Sequence, residues 1–297
     1  MNKKIKIVLG LIVFLENCLL GPLTSSAEKI VYKRLVSLSP SITELLYVLD
    51  LQDKIVGVTR YCKFPPEAQK KPQVGGLFDV NYEFLYSLNP DLVLMQINEG
   101  EEKSTLKKMG IKTLEVETRS VTGIIDSIRV IGQMFDRQDK ASDLIQDIEN
   151  KIQNIKEKTK NLPKPRVLIT FLRPLKEGDI REVYIAGNHT YFNDLIELAG
   201  GQNAYEGPDL ITSPVVSAEG ILHMNPDTII ELMTDSQEKN VSIEEIKHDW
   251  DMLPELTAYK THRIHILRQP FIGIPGPSIA KTLDILVRLI HPEINWD

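Results

Sequence analysis

Cysteine, aromatic residues and long apolar runs are all scarce in this chain of 297 residues. It has 2 cysteines, Cys18 and Cys62, and only 6% of its residues are aromatic, with 2 tryptophans. Such sparse cysteines argue against a disulfide framework and against a zinc site of the CxxC type. The longest apolar run, "IVLGLIVFL" near the amino terminus, is shorter than the roughly 20 residues of a membrane-spanning helix.

An excess of basic residues is also absent. The formal net charge is −6, and no basic run is interleaved with aromatic residues. A general nucleic-acid binder needs such a basic patch, so we expect no nucleic-acid partner. With 42% hydrophobic and 26% charged residues, the composition is that of a globular protein with room for one large or two medium domains.

The first 27 residues have the pattern of a signal peptide. A basic "MNKKIK" precedes the short apolar run, and "TSSA" offers small residues before a cut at Ala27. We therefore predict export to the periplasm, which leaves Cys62 as the remaining cysteine. The alternative is a lipid anchor on Cys18, although Leu15-Glu16-Asn17 is an unusual context for one.

Two segments half a chain apart repeat one pattern. "VNYEFLYSLNPDLVLM" begins at Val80 and "VSAEGILHMNPDTIIEL" begins at Val216, so that Glu83 matches Glu219 and the two Asn-Pro-Asp triplets coincide. Each copy predicts a short helix, a proline stop and a buried parallel strand. The repeat indicates two similar α/β lobes.

The remaining periodicities set the boundaries of those lobes. Apolar residues recur at helical spacing between residues 138 and 162, which predicts one long backbone helix that ends before Pro163. It separates an N-terminal α/β lobe, residues 30–137, from a C-terminal α/β lobe, residues 163–297. In the first lobe, Ser41-Ile-Thr-Glu44 resembles a capping box at the start of a helix.

Ordered motifs in both lobes resemble the helical-backbone (class III) substrate-binding proteins of ABC importers, which carry cobalamin, ferric siderophores or haem. "RLVSLSPSITELLYVLDL", "VGVTRYCKFPPEA" and "VGGLFDVNYEFLYSLNPDLVL" resemble their first lobe, while "FNDLIELAGGQNAY", "PVVSAEGILHMNPDTII" and "GPSIAKTLDILVRLIHP" resemble the second. The resemblance covers nearly everything after residue 30, and the Tyr-Cys-x-x-Pro-Pro turn is most similar to cobalamin-binding periplasmic members.

This resemblance implies a non-catalytic monomer with mostly parallel central sheets and a ligand cleft between the lobes. It would hold no cofactor of its own, but would capture a metal chelate, a corrinoid first and a ferric siderophore or haem as alternatives. It would deliver this ligand to an ABC permease and its ATPase. By motif match, the carboxylates that dock on the permease are Glu83 and Glu219.

The resemblance also places the ligand against the loops that follow the strands. Aromatic rings in these loops suit the face of a macrocycle, and arginines suit carboxylate or catecholate groups. The predicted ligand-binding residues are Tyr61, Phe271, Tyr184, Arg60, Phe64, Phe78, Arg173 and Arg268. One departure concerns tryptophan: the cobalamin binders compared have it where this chain has Leu77 and Gln96.

Two other functions were weighed. Cys62 could be the nucleophile of an exported enzyme, but no catalytic signature, phosphate-binding glycine loop or GxSxG elbow accompanies it. A carrier of bare Zn²⁺ or Mn²⁺ would need clustered ligands. The six histidines are scattered, and His262 and His265 would point to opposite faces of one strand.

Overall fold

The computed structural model describes residues 31–76, 79–97, 100–175, 180–209, 211–233 and 241–296. Residues 32–297 cluster as one compact unit, within which two α/β lobes can be distinguished. The predicted signal peptide, Cys18 and Phe78 lie outside the described residues.

The N-lobe begins with a short buried strand and alternates strands with helices. Its sheet has the order β2-β1-β3-β4, and every pairing in it is parallel. Strands such as Leu35–Ser37 are buried along their whole length because helices cover the sheet. In chain order the elements are β1 (Leu35–Ser37), α1 (Pro40–Val48), β2 (Ile55–Val58), α2 (Tyr82–Ser87), β3 (Leu92–Gln96), α3 (Glu102–Lys108), β4 (Thr113–Val116) and α4 (Val121–Met134).

The C-lobe follows a similar plan with an antiparallel extension. Its sheet has the order β10-β9-β5-β6-β8; β5, β9 and β10 are parallel, whereas β6 and β8 run antiparallel to their neighbours. The elements are β5 (Arg166–Leu172), β6 (Val183–Ile185), α6 (Tyr191–Leu198), β7 (Gln202–Asn203), β8 (Val215–Val216), α7 (Ala218–Met224), β9 (Thr228–Leu232), α8 (Ile243–His248), α9 (Thr257–Lys260), β10 (Ile264–Leu267) and α10 (Ile279–Ile290).

A helix of 22 residues, α5 (Gln138–Thr159), connects the lobes where the periodicity predicts one. Its buried residues Ala141, Ile145, Ile148 and Ile155 belong to a hydrophobic cluster that also contains residues of α1 and α4 in the N-lobe and of α6 and α10 in the C-lobe. The lobes therefore share one continuous core, rather than having a single helix as their only connection.

The sequence repeat is also a structural repeat. The short helices α2 and α7 each lead through Asn-Pro-Asp into a parallel strand, β3 or β9. Asn89 and Asn225 occupy matching positions with φ of 46° and 41°. Asparagine tolerates this left-handed conformation better than most residues, which explains its presence at both turns.

The aspartate of each triplet fixes the start of the neighbouring strand. Asp91 accepts hydrogen bonds from the main-chain N–H groups of Lys33 and Arg34, at 2.7 and 3.0 Å, just before β1. Asp227 likewise accepts from the N–H of Arg166 at 2.8 Å, at the start of β5. Equivalent side chains thus bind equivalent main-chain groups in the two lobes.

An arginine completes each copy of this arrangement. Arg34 Nη2 donates to the main-chain oxygen of Leu88 at 2.6 Å, and Arg166 Nη2 donates to that of Met224 at 3.0 Å. Both acceptors lie at the carboxyl end of a short helix, where main-chain oxygens lack helical partners.

One local prediction is wrong. Helix α1 begins at Pro40 with Ser39 as its N-cap, so Ser41 lies inside the helix and forms no capping box with Glu44. Proline favours the first helical position and moves the start of the helix upstream of the predicted one. Glu44 is thereby free to make the contact with the C-lobe described below.

The matched aspartates give a test of the repeat. Asp91→Ala and Asp227→Ala should each lower the free energy of unfolding by about 1–3 kcal/mol, because each removes a charged acceptor from main-chain N–H groups. Urea denaturation would measure this. Asp143→Ala on the exposed face of α5 is the control and should change stability by less than about 0.5 kcal/mol. Equal values for all three variants would contradict the structural role of the triplet.

Candidate functional site

The carboxyl ends of the N-lobe strands and the segment after β10 enclose a cavity of about 400 Å³. This is where α/β sheets place ligands, and the volume lies within the range of small-molecule sites. Both lobes contribute to its wall. The lining residues are Leu38, Ser39, Pro40, Ser41, Thr59, Tyr61, Gln96, Gly273, Ile274 and Pro275.

Gln96 organises the polar side of this cavity. Its Nε2 donates to Ser41 Oγ at 3.1 Å and to Thr118 Oγ1 at 2.6 Å, which joins the carboxyl ends of β1, β3 and β4. Ser41 Oγ also lies 2.8 Å from Ser39 Oγ. The floor is therefore made of neutral hydroxyl and amide groups already bound to one another, and it can offer hydrogen bonds without a net charge.

Tyr61 is the predicted ligand residue that lines this cavity. Its side chain is 52% exposed, and the guanidinium of Arg60 lies 5.8 Å from the centre of its ring. Arg60 itself binds Asp79 through two hydrogen bonds of 3.1 and 2.5 Å. Tyr61 thus brings an exposed aromatic ring to the cavity wall, and the charge of the neighbouring Arg60 is paired with Asp79.

Phe64 and Phe271 meet each other across the lobes. Their ring centres are 5.9 Å apart at an interplanar angle of 55°, a tilted arrangement that aromatic pairs favour. Phe64 also lines a second cavity of about 360 Å³ together with Glu44, Ser278 and other residues of both lobes. The structure thus brings these two predicted residues together beside the first cavity rather than in its wall.

Tyr184 lies on an apolar stripe of the C-lobe sheet. It pairs with Leu172 at the carboxyl end of β5 and with Val215 of β8. The three side chains are 36%, 53% and 49% exposed. The stripe is at the same sheet edge as the segment after β10, but Tyr184 does not line the 400 Å³ cavity.

Arg173 is buried, contrary to its predicted place in the cleft. Its Nε donates to Glu231 Oε1 at 2.6 Å, and its Nη1 donates to Asp249 Oδ2 at 2.7 Å. Its other N–H groups reach Glu231 Oε2 and the main-chain oxygens of Pro174 and Ile246. All five donors of the guanidinium are therefore used inside the protein.

The surroundings of Arg173 explain why it is retained there. Burial raises the pKa of Glu231, and the neighbouring Arg173 charge opposes that rise. Trp250 packs on the guanidinium at 5.6 Å and donates its indole N–H to Glu231 at 2.8 Å. The sequence alone does not reveal these buried ion pairs, because Glu231 and Asp249 lie 58 and 76 residues further along the chain than Arg173.

The other residues singled out from the sequence lie in different places. Arg268 is half-buried, and its guanidinium donates to the main-chain oxygen of Val241. Phe78 and Leu77 lie outside the described residues, so the structure says nothing of either. Gln96, by contrast, is part of the cavity wall. The resemblance marks Gln96 only as a position where cobalamin binders have tryptophan, and does not predict a polar contact there.

Cys62 is a core residue. It is 2% exposed, and its Sγ lies 3.1 Å from Thr43 Oγ1 and 3.2 Å from Thr59 Oγ1. Burial raises the pKa of the thiol, which disfavours the thiolate that nucleophiles and metal ligands need. Among the described residues, no group of three or more His, Cys, Asp and Glu side chains is arranged to hold a metal ion.

Glu83 and Glu219 occupy equivalent exposed positions in the first turns of α2 and α7. Each follows an N-cap, Asn81 or Ser217, whose side chain accepts a hydrogen bond from the third helical residue. The helix dipole favours an acidic residue in this turn. Within the described ranges no ion pair to either carboxylate is formed, so both are available to a partner.

The two-lobed fold and the cleft between the lobes define a substrate-binding component of a transport system. The chain belongs to the periplasmic binding protein family, which matches residues 35–270. Members of this type bind a small ligand and work with the permease and ATPase of an ABC importer. They are not enzymes.

Similar proteins agree on this class and differ in ligand. An ABC transporter substrate-binding lipoprotein of Bacillus subtilis (strain 168) is 30% identical over 266 residues, 88% of this chain and 81% of its own. A vitamin B12-binding protein of Yersinia pestis (strain Pestoides F) is 26% identical over 213 residues, 71% of this chain and 73% of its own. The apo structure of the periplasmic haem-binding protein RhuT from Roseiflexus sp. RS-1 superposes with a TM-score of 0.73 at 23% identity, covering 88% and 99% of the chains.

Within the described residues, none of the helices is both long enough and apolar enough to cross a membrane.

The buried arginine gives a second test. Arg173→Met should lower the free energy of unfolding by about 3–5 kcal/mol, because it leaves Glu231 and Asp249 buried without a counter-charge. Arg129→Met is the control, since Arg129 forms an exposed ion pair with Asp126 and should cost less than about 1 kcal/mol. Denaturant titration measures both variants. A folded, fully stable Arg173→Met protein would show that this cluster is dispensable.

Proposed function

We propose that this protein binds a metal chelate, with a corrinoid first among the candidates, in the 400 Å³ cavity between its lobes. The observation that carries the proposal is the cavity wall itself, which combines the exposed ring of Tyr61, a neutral polar floor around Gln96, and the apolar segment Gly273–Pro275. A flat ring suits one face of a macrocycle, and amide and hydroxyl groups suit its neutral amide substituents.

The similarity to a vitamin B12-binding protein supports the corrinoid reading, since it extends over 71% of this chain. The cavity is small for a whole corrinoid, so part of the ligand would extend out of it. No tryptophan lines the cavity described here; Tyr61 would take the role of the stacking ring.

Haem is the second candidate, and one observation favours it. The phenol of Tyr61 is exposed at the cavity mouth, and a tyrosine oxygen is a known axial ligand of haem iron. A corrinoid would use the face of this ring, whereas haem would use its oxygen. The two candidate ligands therefore predict different effects on affinity when only the hydroxyl group of Tyr61 is removed.

The experiment that tests the function is a calorimetric titration of the ligand-free protein with cyanocobalamin, haemin and a ferric hydroxamate. We expect cyanocobalamin to bind at one site. Tyr61→Ala should weaken it by about 1–2 kcal/mol, or five- to thirtyfold, whereas Tyr61→Phe should retain the affinity. If haemin binds instead, Tyr61→Phe should lose most of the affinity and change the haem absorbance spectrum.

Tyr86→Ala is the matched control for this titration. Tyr86 is 61% exposed on α2 and does not line the cavity, so its removal should leave affinity unchanged. If none of the three chelates binds the wild-type protein, the proposed ligand class is wrong.

We further propose that Glu83 and Glu219 dock the loaded protein on the permease. They are exposed, carry equal charge and occupy equivalent positions in the two lobes. Two such carboxylates suit a partner that presents basic side chains at two places related by its own symmetry.

Charge reversal tests this docking. The double variant Glu83→Lys/Glu219→Lys should abolish uptake of labelled cyanocobalamin by cells with the importer, because like charges across an interface cost several kcal/mol. Its affinity for cyanocobalamin should stay within about twofold of wild type. Asp143→Lys/Glu149→Lys on α5 carries the same change of charge and should transport normally. Loss of affinity, or normal uptake, in the Glu83/Glu219 variant would refute docking.

We place this function outside the cytoplasmic membrane, with the protein acting as a monomer. The signal-peptide pattern ending near Ala27 supports release into the periplasm. The similar Bacillus subtilis protein is a lipoprotein, which supports attachment through Cys18 as the other route. Both routes put the cleft on the side from which an importer takes its substrate.

A further inference from the structure

Two carboxylates cross between the lobes. Glu44, on α1 of the N-lobe, accepts a hydrogen bond from the hydroxyl of Ser278, the residue before α10 of the C-lobe. Asp194, on α6 of the C-lobe, accepts one of 2.8 Å from the main-chain N–H of Val121, the first residue of α4 in the N-lobe. Each lobe thus supplies an acceptor to the start of a helix of the other lobe.

The two contacts involve helices at similar places in the element order of the two lobes: α1 and α6 are the first helices of their lobes, and α4 and α10 are the last. Thr43-Glu44-Leu45-Leu46 of α1 is similar to Asn193-Asp194-Leu195-Ile196 of α6, and Ser120-Val121 at the start of α4 is similar to Ser278-Ile279 at the start of α10. In both cases the acceptor is an acidic residue of a helix near the start of its own lobe, Glu44 or Asp194. The donor lies at the start of the last helix of the other lobe. A reciprocal pair at equivalent positions is unlike the scattered surface ion pairs elsewhere.

Physical chemistry favours each contact. The N–H groups in the first turn of a helix have no partner within the helix, and the helix dipole makes that end positive. Helices α4 and α10 have 14 and 12 residues, long enough for a full dipole. Asp194 accepts from the main-chain N–H of Val121 at the start of α4, and Glu44 accepts from the hydroxyl of Ser278 just before α10.

Both helix starts continue directly into the ligand cavity. Pro275 lines the cavity and lies three residues before Ser278. Thr118, whose hydroxyl binds the cavity residue Gln96, lies three residues before Val121. A shift of either helix start would therefore move the cavity wall.

The space around Glu44 is tightly fitted. The residue is 2% exposed, and its Oε2 has no hydrogen-bond partner among the described residues. A Cβ atom at Gly276 would come within 2.9 Å of that oxygen, so any larger residue there would displace the carboxyl group of Glu44. The carboxyl group is therefore wedged between the two lobes rather than extended into solvent.

We propose that Glu44 and Asp194 form a reciprocal clasp, a pair of positioning residues that hold the two walls of the ligand cavity at a fixed separation. The clasp makes no contact with the ligand. It determines how much of the protein is already in the binding-competent arrangement, and so it sets the apparent affinity.

Glu44 also makes the clasp sensitive to protons. Burial raises the pKa of Glu44 from 4.5 to about 7, and hydrogen bonds from Ser278 and the charge of Lys281 on α10 oppose that rise. Tyr191 on α6 faces the same carboxyl group: burial raises the pKa of this phenol, and the Glu44 charge raises it further. Tyr47 on α1 lines the cavity beside it. In the second contact, burial raises the pKa of Asp194, and the hydrogen bond from the Val121 main chain opposes that rise; Glu197 raises the pKa further and His189 lowers it.

The direction of the pH effect follows from these values. The clasped state holds a proton on Glu44 up to about pH 7, whereas an opened state that exposes the carboxyl group would lose it near 4.5. The clasp is therefore strongest at low pH and weakens as pH rises through this window, by about tenfold between pH 6 and pH 8. Above about pH 8 it should change little further.

The first measurement needs no ligand. In hydrogen exchange on the apo protein, Glu44→Ala should accelerate exchange in residues 273–283, and Asp194→Ala in residues 118–125, by about tenfold or more, with other segments unchanged. Glu44→Gln keeps the shape of the neutral acid and should behave like wild type at pH 6. At pH 8 the wild-type protein should exchange faster in these segments than Glu44→Gln does.

The second measurement uses cyanocobalamin and haemin, as this part rests on the proposed function. Wild-type affinity should fall by up to about tenfold from pH 6 to pH 8 relative to Glu44→Gln at the same pH, and Glu44→Ala should be weaker by about tenfold throughout. Glu149→Gln, on the exposed face of α5, should match wild type in both measurements. Comparison with Glu44→Gln removes any pH dependence of the chelate itself.

The outcomes separate the two proposals. Failure of both chelates to bind, with the exchange pattern as expected, would refute the proposed ligands and support the clasp. Unchanged exchange in Glu44→Ala and Asp194→Ala would overturn the clasp whatever binds. The clasp would also be overturned if the wild-type and Glu44→Gln proteins showed the same exchange rates and the same affinities from pH 6 to pH 8.

Discussion

The cleft depends on a hydrophobic core that does not stop at the lobe boundary. The buried face of α5 packs with α4 on one side and with α6 and α10 on the other, in one continuous cluster. Lys151 of α5 adds an ion pair of 2.7 Å with Asp284 of α10. Two sheets held by one core cannot swing freely, so we expect ligand capture to use small adjustments of the loops and helix starts.

Much of this architecture could be predicted from the sequence because it is encoded locally. The apolar spacing of Ile279, Leu283, Leu286 and Ile290 gives the buried face of α10, and the Asn-Pro-Asp triplets mark both strand entries. The antiparallel strands β6 and β8 were missed, since they have 3 and 2 residues and too little pattern to recognise. The capping box at Ser41 failed because a proline one residue earlier was the stronger start signal.

The loops that line the candidate site could be predicted from the sequence. The side chains of those loops that face the cavity could not. The segments after β1, β2 and β10 do line the cavity, because the ends of parallel strands meet at one edge. Which residue of a loop faces the cavity depends on contacts that are distant in sequence. Arg173 follows a strand as a ligand residue would, yet two carboxylates from β9 and the region after α8 draw it into the core. Glu44 was assigned to its own helix, and only the tertiary structure shows that it reaches the other lobe.

The asparagine and aspartate pairs of the repeat lie where β3 and β9 begin, at the sheet edge opposite the ligand cavity. The hydrogen bonds that define the scaffold are thus spatially separate from the side chains that line the candidate ligand cavity. A change of ligand preference can then arise by substitution at one edge with little loss of stability at the other.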